Sequence, residues 1–233
     1  LTRRKEIYSM VLPYIEHKDW EIRLAAYQAL DSAGYQPETP DQAAQYYLAG
    51  REWVELSNLK DLGWRKIETA LQKADNTQMD LILRGLRIVK TDRAVDVLIE
   101  YLTHNNSRIR SRAEESLILL GKFSTKSLQT LMESRSERLR LSVARILGEI
   151  SDSSSQEILA KSLEKDNSGD VREICAEALG QFGNKDHIPL LAAALDDADS
   201  RVQKAAMNSL IKLKWQPKTP EEKKKYRKAR FNF

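Results

Sequence analysis

Apolar residues return along this chain with a period of about 31 residues, each copy closed by a leucine: Leu86, Leu117, Leu147, Leu179 and Leu210. Within a copy the apolar or small positions fall at 0, +4, +7, +8 and +11, as in Val171, Cys175, Ala178, Leu179 and Phe182. Ile109, Leu139 and Val202 open three more copies, and Ile22 opens an earlier one. That spacing lays one stripe along a helix of 3.6 residues per turn and does not alternate as a strand would. Three residues before position 0 stands a short polar residue: Asp19, Asp75, Asn106, Ser136, Ser168 and Asp199. Such a side chain accepts from the unpaired N–H groups of a helix start, so six N-caps are predicted.

A first helix lies upstream of each of these, read from Ala94-Val95…Leu98-Ile99…Leu102, Ser127-Leu128…Leu131-Met132, Ile158-Leu159…Leu163 and Ile188…Leu190-Leu191…Leu195. Pro189 falls in a first turn, where its missing N–H is no loss. Gly34, Gly121 and Gly183 follow second helices, where a left-handed residue would stop them. Neither helix of a pair can bury its stripe alone, so neighbouring pairs must stack. The expectation is all-α: a right-handed α-α superhelix, a solenoid of about six two-helix units spanning residues 1–233 as one domain.

One stretch breaks the period. Leu30 precedes Leu86 by 56 residues, about 25 more than one period. The surplus holds Tyr35-Gln36-Pro37-Glu38-Thr39-Pro40-Asp41, which is echoed by Trp215-Gln216-Pro217-Lys218-Thr219-Pro220-Glu221, with Tyr46/Tyr226, Ala49/Ala229 and Trp53/Phe233 continuing the match. The prolines force an extended corner, and Thr39 or Thr219 can cap the helix that follows. We therefore expect an inserted module at about 35–62, with one extra helix over 41–59, and a partial second copy at 214–233 as a C-terminal cap. Leu1 in place of an initiating Met, with the unfinished copy, leads us to expect a segment of a longer protein.

Composition narrows the classes. Residues are 41% hydrophobic and 31% charged, and no apolar run approaches the roughly 18 residues that span a membrane. A single cysteine, Cys175, allows no internal disulfide framework and fits a reducing cytosol. It stands where other copies have alanine, so packing is its expected role. The net charge of +4 is unevenly spread: residues 212–233 carry nine basic residues against Glu221 and Glu222, leaving −3 for residues 1–211.

The pattern cap–x–x–(Val/Ile/Leu)–Arg–x–x–Ala–x–x–(Ala/Ser)–Leu–Gly, clearest at 171–183 and 139–150, resembles HEAT repeats. It is most similar to the short phycobilisome-lyase HEAT-like type, and the Gln-Pro…Thr-Pro module is similar to one found in prokaryotic proteins of that kind. The resemblance implies the fold but says little of function, because such repeats serve scaffolds, adaptors and a few enzymes. It also implies that Arg23, Arg110, Arg140 and Arg172, at +1, bond the cap carboxylate of a neighbouring unit.

Positions −1, +2, +6 and +9 of the second helices lie opposite the core stripe and are expected to line the concave side. They offer Arg84, Arg87, Arg108, Arg138 and Arg145, with Arg112 at the edge, Leu141 and Ile118 as apolar contacts, and Glu173 and Glu177 as acids. Arginine suits planar ion pairing, so this face is the candidate partner-binding surface. A second candidate is the basic tail, Lys223, Lys224, Lys225, Arg227, Lys228 and Arg230, with Tyr226, Phe231 and Phe233 packing beneath it. Catalytic, metal-binding and cofactor-binding residues are not apparent. His17, His104 and His187 are far apart in sequence without metal-ligand spacing, and no phosphate loop or nucleophile motif occurs. The reading is a non-catalytic, cofactor-free, monomeric cytoplasmic module that binds a protein partner, with no membrane association. Nucleic-acid binding through the arginines and tail is the alternative, and a bilin-lyase-like role comes third.

Overall fold

The computed structural model describes residues 2–231, and the side chains of residues 4–229. Among them every regular element is helical, so the chain is an all-α helical repeat. It divides into two compact units, residues 1–94 and 95–233, with the division falling inside α7. The first unit holds α1 (Thr2–Val11), α2 (Trp20–Ser32), α3 (Pro40–Gly50), α4 (Trp53–Asn58), α5 (Asp61–Lys73), α6 (Asn76–Leu86) and the start of α7 (Asp92–Glu100). The second holds α8 (Ser107–Leu120), α9 (Lys122–Leu131), α10 (Glu137–Ile150), α11 (Gln156–Lys165), α12 (Gly169–Phe182), α13 (Ile188–Ala193), α14 (Ser200–Lys212) and α15 (Pro220–Phe231).

All six expected caps form. Asp19, Asp75, Asn106, Ser136, Ser168 and Asp199 each accept from a backbone N–H in the first turn of the helix that follows. At α6 the cap is reciprocal, because Gln78 in turn accepts from the N–H of Asp75. Gly34, Gly121 and Gly183 have positive φ after their helices. Ser151 and Lys214 take the same left-handed conformation without being glycine.

In the second unit, α8, α10, α12 and α14 pack side by side as one layer, while α9, α11 and α13 lie against α10, α12 and α14. The stripe points into the space between: Ile109, Ala113, Leu117, Val143, Leu147, Val171, Cys175, Leu179, Val202, Ala206 and Leu210 are fully buried. Each such leucine contributes about 2 kcal/mol by leaving water. The second-helix layer is tight. A Cβ on Gly148 would come within 2.8 Å of the Ala178 Cβ, and one on Gly180 would overlap Ser209, whose Cα is 2.9 Å away. Ser209 itself donates to the Ala176 carbonyl at 2.8 Å.

In the first unit, Ile15, Ala26, Leu30, Tyr35, Tyr46 and Ala49 form a core with Tyr8, Val11, Leu12, Tyr27 and Tyr47 packed on it. The insert corrects one expectation. It is two helices, α3 and α4, separated by Arg51 in the left-handed region at φ 62°. Trp53 then starts a short helix whose indole is buried against Gly85 of α6. The two copies of the Gln-Pro/Thr-Pro module fold alike at their starts. Tyr35 and Trp215 both donate to the leucine five residues earlier, at 2.9 Å. Thr39 and Thr219 cap α3 and α15, and the rings of Tyr35–Tyr46 and Trp215–Tyr226 meet at steep angles with centroids 5.5 and 6.0 Å apart.

Candidate functional site

Five copies share one hydrogen bond. The side chain at +1 donates to the carbonyl six residues earlier: Arg23 to His17, Arg110 to His104 (2.8 Å), Arg140 to Ser134 (2.8 Å), Arg172 to Asp166 (2.7 Å) and Gln203 to Asp197 (2.6 Å). The residue bearing that carbonyl, at −5, uses its own side chain to accept from the N–H of the cap residue. Nδ1 of His17 and of His104 does so at 3.1 Å, Oγ of Ser134 at 3.2 Å, and the carboxylates of Asp166 and Asp197 at 2.9 and 2.8 Å. Two of the three histidines thus hold a turn where later copies use Ser or Asp. A polar acceptor recurring at −5 is the sequence signal that would have revealed this.

The arginines of α10 and α12 also bridge to the next copy. Arg140 grips Asp166 through Nε and Nη2 at 2.7 and 2.8 Å, and Arg172 grips Asp197 at 2.8 and 2.8 Å. The implied partner was the cap carboxylate, but the −5 carboxylate takes the bond because it lies beside the neighbouring second helix. Burial of Asp166 opposes ionisation, yet the Arg140 hydrogen bonds, the Ser168 N–H and both arginine charges together hold it below its ordinary value. Asp197 is depressed in the same way by Arg172 and the Asp199 N–H. The hydrogen bond to Asp166 correspondingly raises Arg140.

On the outward face of the second helices, Arg108, Arg138, Arg145 and Glu177 are exposed, while Arg112, Leu141 and Glu173 are half-buried. All seven lie in the second unit. Arg84 on α6 and Arg87 at its C-cap are exposed in the first. Two expected outward positions are not outward. Asp80, at +2 of α6, is buried and faces Arg84 at 3.5 Å. Gly148 and Gly180, at +9, are closed off by the next helix of the layer. The charges are also more paired than their spacing implied. Arg145 meets Glu114 at 3.6 Å, and Glu114 also accepts from Ser142 at 2.6 Å. Arg112 pairs with Glu115, and Arg201 gathers Asp170, Glu173 and Asp199. Burial pushes the Glu173 carboxyl upward, against the pull of Arg201. Exposed Leu119 and Phe123, at the turn from α8 to α9, were not foreseen.

The tail forms α15. Lys223, Lys224, Arg227 and Lys228 are exposed; Lys225 pairs with Asp196 at 2.6 Å; Ala229 is buried. Arg230, Phe231 and Phe233 lie outside the described side chains. Cys175 is fully buried, and desolvation pushes its thiol far up, which suits packing and opposes thiolate chemistry. Burial pulls His187 down beside Gln156, whose Oε1 lies 2.9 Å from its Nε2. No group of three or more His, Cys, Asp or Glu could hold a metal ion among the described residues. No helix among them is long and apolar enough to cross a membrane.

Residues 157–224, from α11 into α15, match the family model of HEAT repeats, so this segment carries HEAT repeats. No curated protein matches the chain in sequence. Similar solved structures include an engineered protein, at 18% identity over 90% of this chain and 96% of that one, TM-score 0.42. Human deoxyhypusine hydroxylase in complex with glycerol is 16% identical over 91% and 96%, TM-score 0.41. The complex of CpcE and CpcF of phycocyanin lyase from Nostoc sp. PCC7120 is 15% identical over 97% and 94%, TM-score 0.35.

Proposed function

We propose that the chain is a non-catalytic protein-binding scaffold, a monomeric prokaryotic array of the short HEAT-like type acting in the cytosol. The observation that carries this reading is the outward face of α8, α10 and α12. There, exposed Arg108, Arg138 and Arg145 flank half-buried Leu141, with Glu173 and Glu177 on the adjoining helix. Apolar anchors with arginines around them are the composition of protein-recognition hot spots, and mixed charge favours a complementary protein over a uniform polyanion.

The test starts from fluorescence anisotropy with labelled single-stranded and duplex DNA and RNA at about 50 and 200 mM salt. Six to ten phosphate contacts would cost about 10³–10⁵ in affinity over that range. The scaffold reading expects no such salt-steep binding. A partner captured by cross-linking the wild type should instead be lost in Arg108→Glu with Arg145→Glu while the thermal melt is preserved. Tight, salt-steep nucleic-acid binding removed by that pair would overturn the proposal in favour of a phosphate-binding face.

A further inference from the structure

The ladder of +1 arginines shows what this position takes when it can. Arg140 and Arg172 each hold a carboxylate supplied by the following copy. Arg23, the same position in α2, has none. Its Nε is spent on the His17 carbonyl and its guanidinium lies over the Trp20 ring at 5.2 Å. Neither of its Nη groups has a hydrogen-bond partner among the described residues. The matching −5 residue of the following copy is Lys73, which brings no acid.

What stands there is a cavity of about 430 Å³, entirely within the first unit. Its walls bring Lys18, Lys66 and Lys73 to the same space as half-buried Arg23, with Glu16 the one carboxylate among them. Lys66 also reaches Asp41, at 3.8 Å on the far side. Three lysines and the half-buried Arg23 against Glu16 and Asp41 leave this place with a net positive charge that suits an anion. Desolvation lowers the Arg23 pKa despite the nearby Glu16, which agrees with a cation short of counter-charge. A second depression of about 500 Å³ shares Glu16, Gln45 and Lys66 with the first and continues over Leu12, Pro13 and Ile15. The cationic cavity therefore opens onto a depression with Leu12, Pro13 and Ile15 on one part and Asp41, Gln42 and Gln45 on another.

We propose that this cavity of the first unit binds an acidic segment of a partner protein. An Asp or Glu carboxylate would sit on Arg23 among the lysines, with a neighbouring apolar side chain on Leu12, Pro13 and Ile15. The carboxylate is favoured over phosphate because Arg140 and Arg172, two of the three other arginines at this position, take a carboxylate, and the Leu12–Ile15 side chains favour a peptide over a small free acid. The site is independent of the second-unit face proposed above, and either can fail without the other.

The experiment uses the full chain and a fluorescein-labelled peptide, Glu-Glu-Leu-Asp-Glu-Leu, with its amide counterpart Gln-Gln-Leu-Asn-Gln-Leu, read by anisotropy at about 50 mM salt. The acidic peptide should bind and the amide peptide should not. Arg23→Gln and Lys73→Gln should each weaken binding about tenfold, the loss of one charge-assisted hydrogen bond. Lys126→Gln, exposed on α9, should leave binding unchanged. Lys73 is itself exposed, so its variant reports on binding even if Arg23→Gln perturbs the fold. Equal binding of both peptides, or binding indifferent to Lys73→Gln, would overturn the proposal. So would displacement by free glutarate at matching concentration, which would mean a small-acid site, or by an oligothymidylate, which would mean a phosphate site.

Discussion

At the scale of single residues, the same arginine does different work according to what the next copy brings to it. Arg172 grips Asp197, and both side chains are largely withdrawn from water, at 15% and 13% exposure. Removing the arginine strands a desolvated carboxylate, so Arg172→Ala should cost about 3 kcal/mol in urea unfolding of the full chain. The pH dependence follows from the directions of Asp166 and Asp197, both lowered from 3.8. A carboxylate that is more acidic folded than unfolded adds stability above its unfolded value, and that stability is lost as pH falls through the folded value. Thermal melts should therefore drop from about pH 4 downward, and the drop should shrink in Arg140→Ala with Arg172→Ala. Cys175 gives a second check. Its thiol is buried and its ionisation suppressed, so a thiol reagent such as DTNB should modify it only as fast as the second unit opens. The role of Cys175 as core was legible in its register with alanine. The ladder partners were not, because they lie 25 or 26 residues away and touch only after stacking.

At the scale of elements, the helix starts were the most legible feature, because a cap acts over three residues and needs no tertiary partner. The mutual approach of α10, α12 and α14 was not. Glycine at 148 and 180 resembled an ordinary outward position in sequence, yet it is what lets adjacent second helices touch. Gly180→Ala forces a methyl into Ser209 and should destabilise the second unit by about 1–3 kcal/mol, read as a lowered urea midpoint at unchanged slope. Gly183→Ala offers the contrast. Nothing lies within 4 Å of its added methyl, so only the left-handed backbone at φ 71° objects, at about 1 kcal/mol. The insert followed the same division. Thr39 and Pro40 marked where α3 begins, but the break into α4 depends on Arg51 and on the burial of Trp53 against Gly85.

At the scale of the whole chain, stability in stacked repeats is a sum of unit and nearest-neighbour terms, so damage should remain local. Ala113→Asp puts an unpaired charge at a fully buried site of α8 and should cost several kcal/mol. Hydrogen exchange should report that loss across the helices packed on α8, with protection in α2 and α3 of the first unit unchanged. Loss of protection spread evenly over residues 4–229 would contradict a repeat-wise fold. Charge also acts at this scale: exposed cations on α15 contrast with the mixed charges of α8, α10 and α12, and an average of +4 conceals that difference.

By itself the sequence determined that the chain is all-α, where its second helices start, most of their buried stripe (Ile22 is exposed and Leu139 half-buried) and that the Gln-Pro/Thr-Pro module occurs twice. Those features follow from 3.6-residue periodicity, capping and proline geometry, all of which operate within a turn or two of the chain. Tertiary structure alone decided the division into two units, the burial of Asp80, the closing of Gly148 and Gly180, the carboxylates that Arg140 and Arg172 hold and the cavity at Arg23. Each of these depends on residues tens of positions apart meeting in space, where packing distance and shared charge, rather than local propensity, choose the partner.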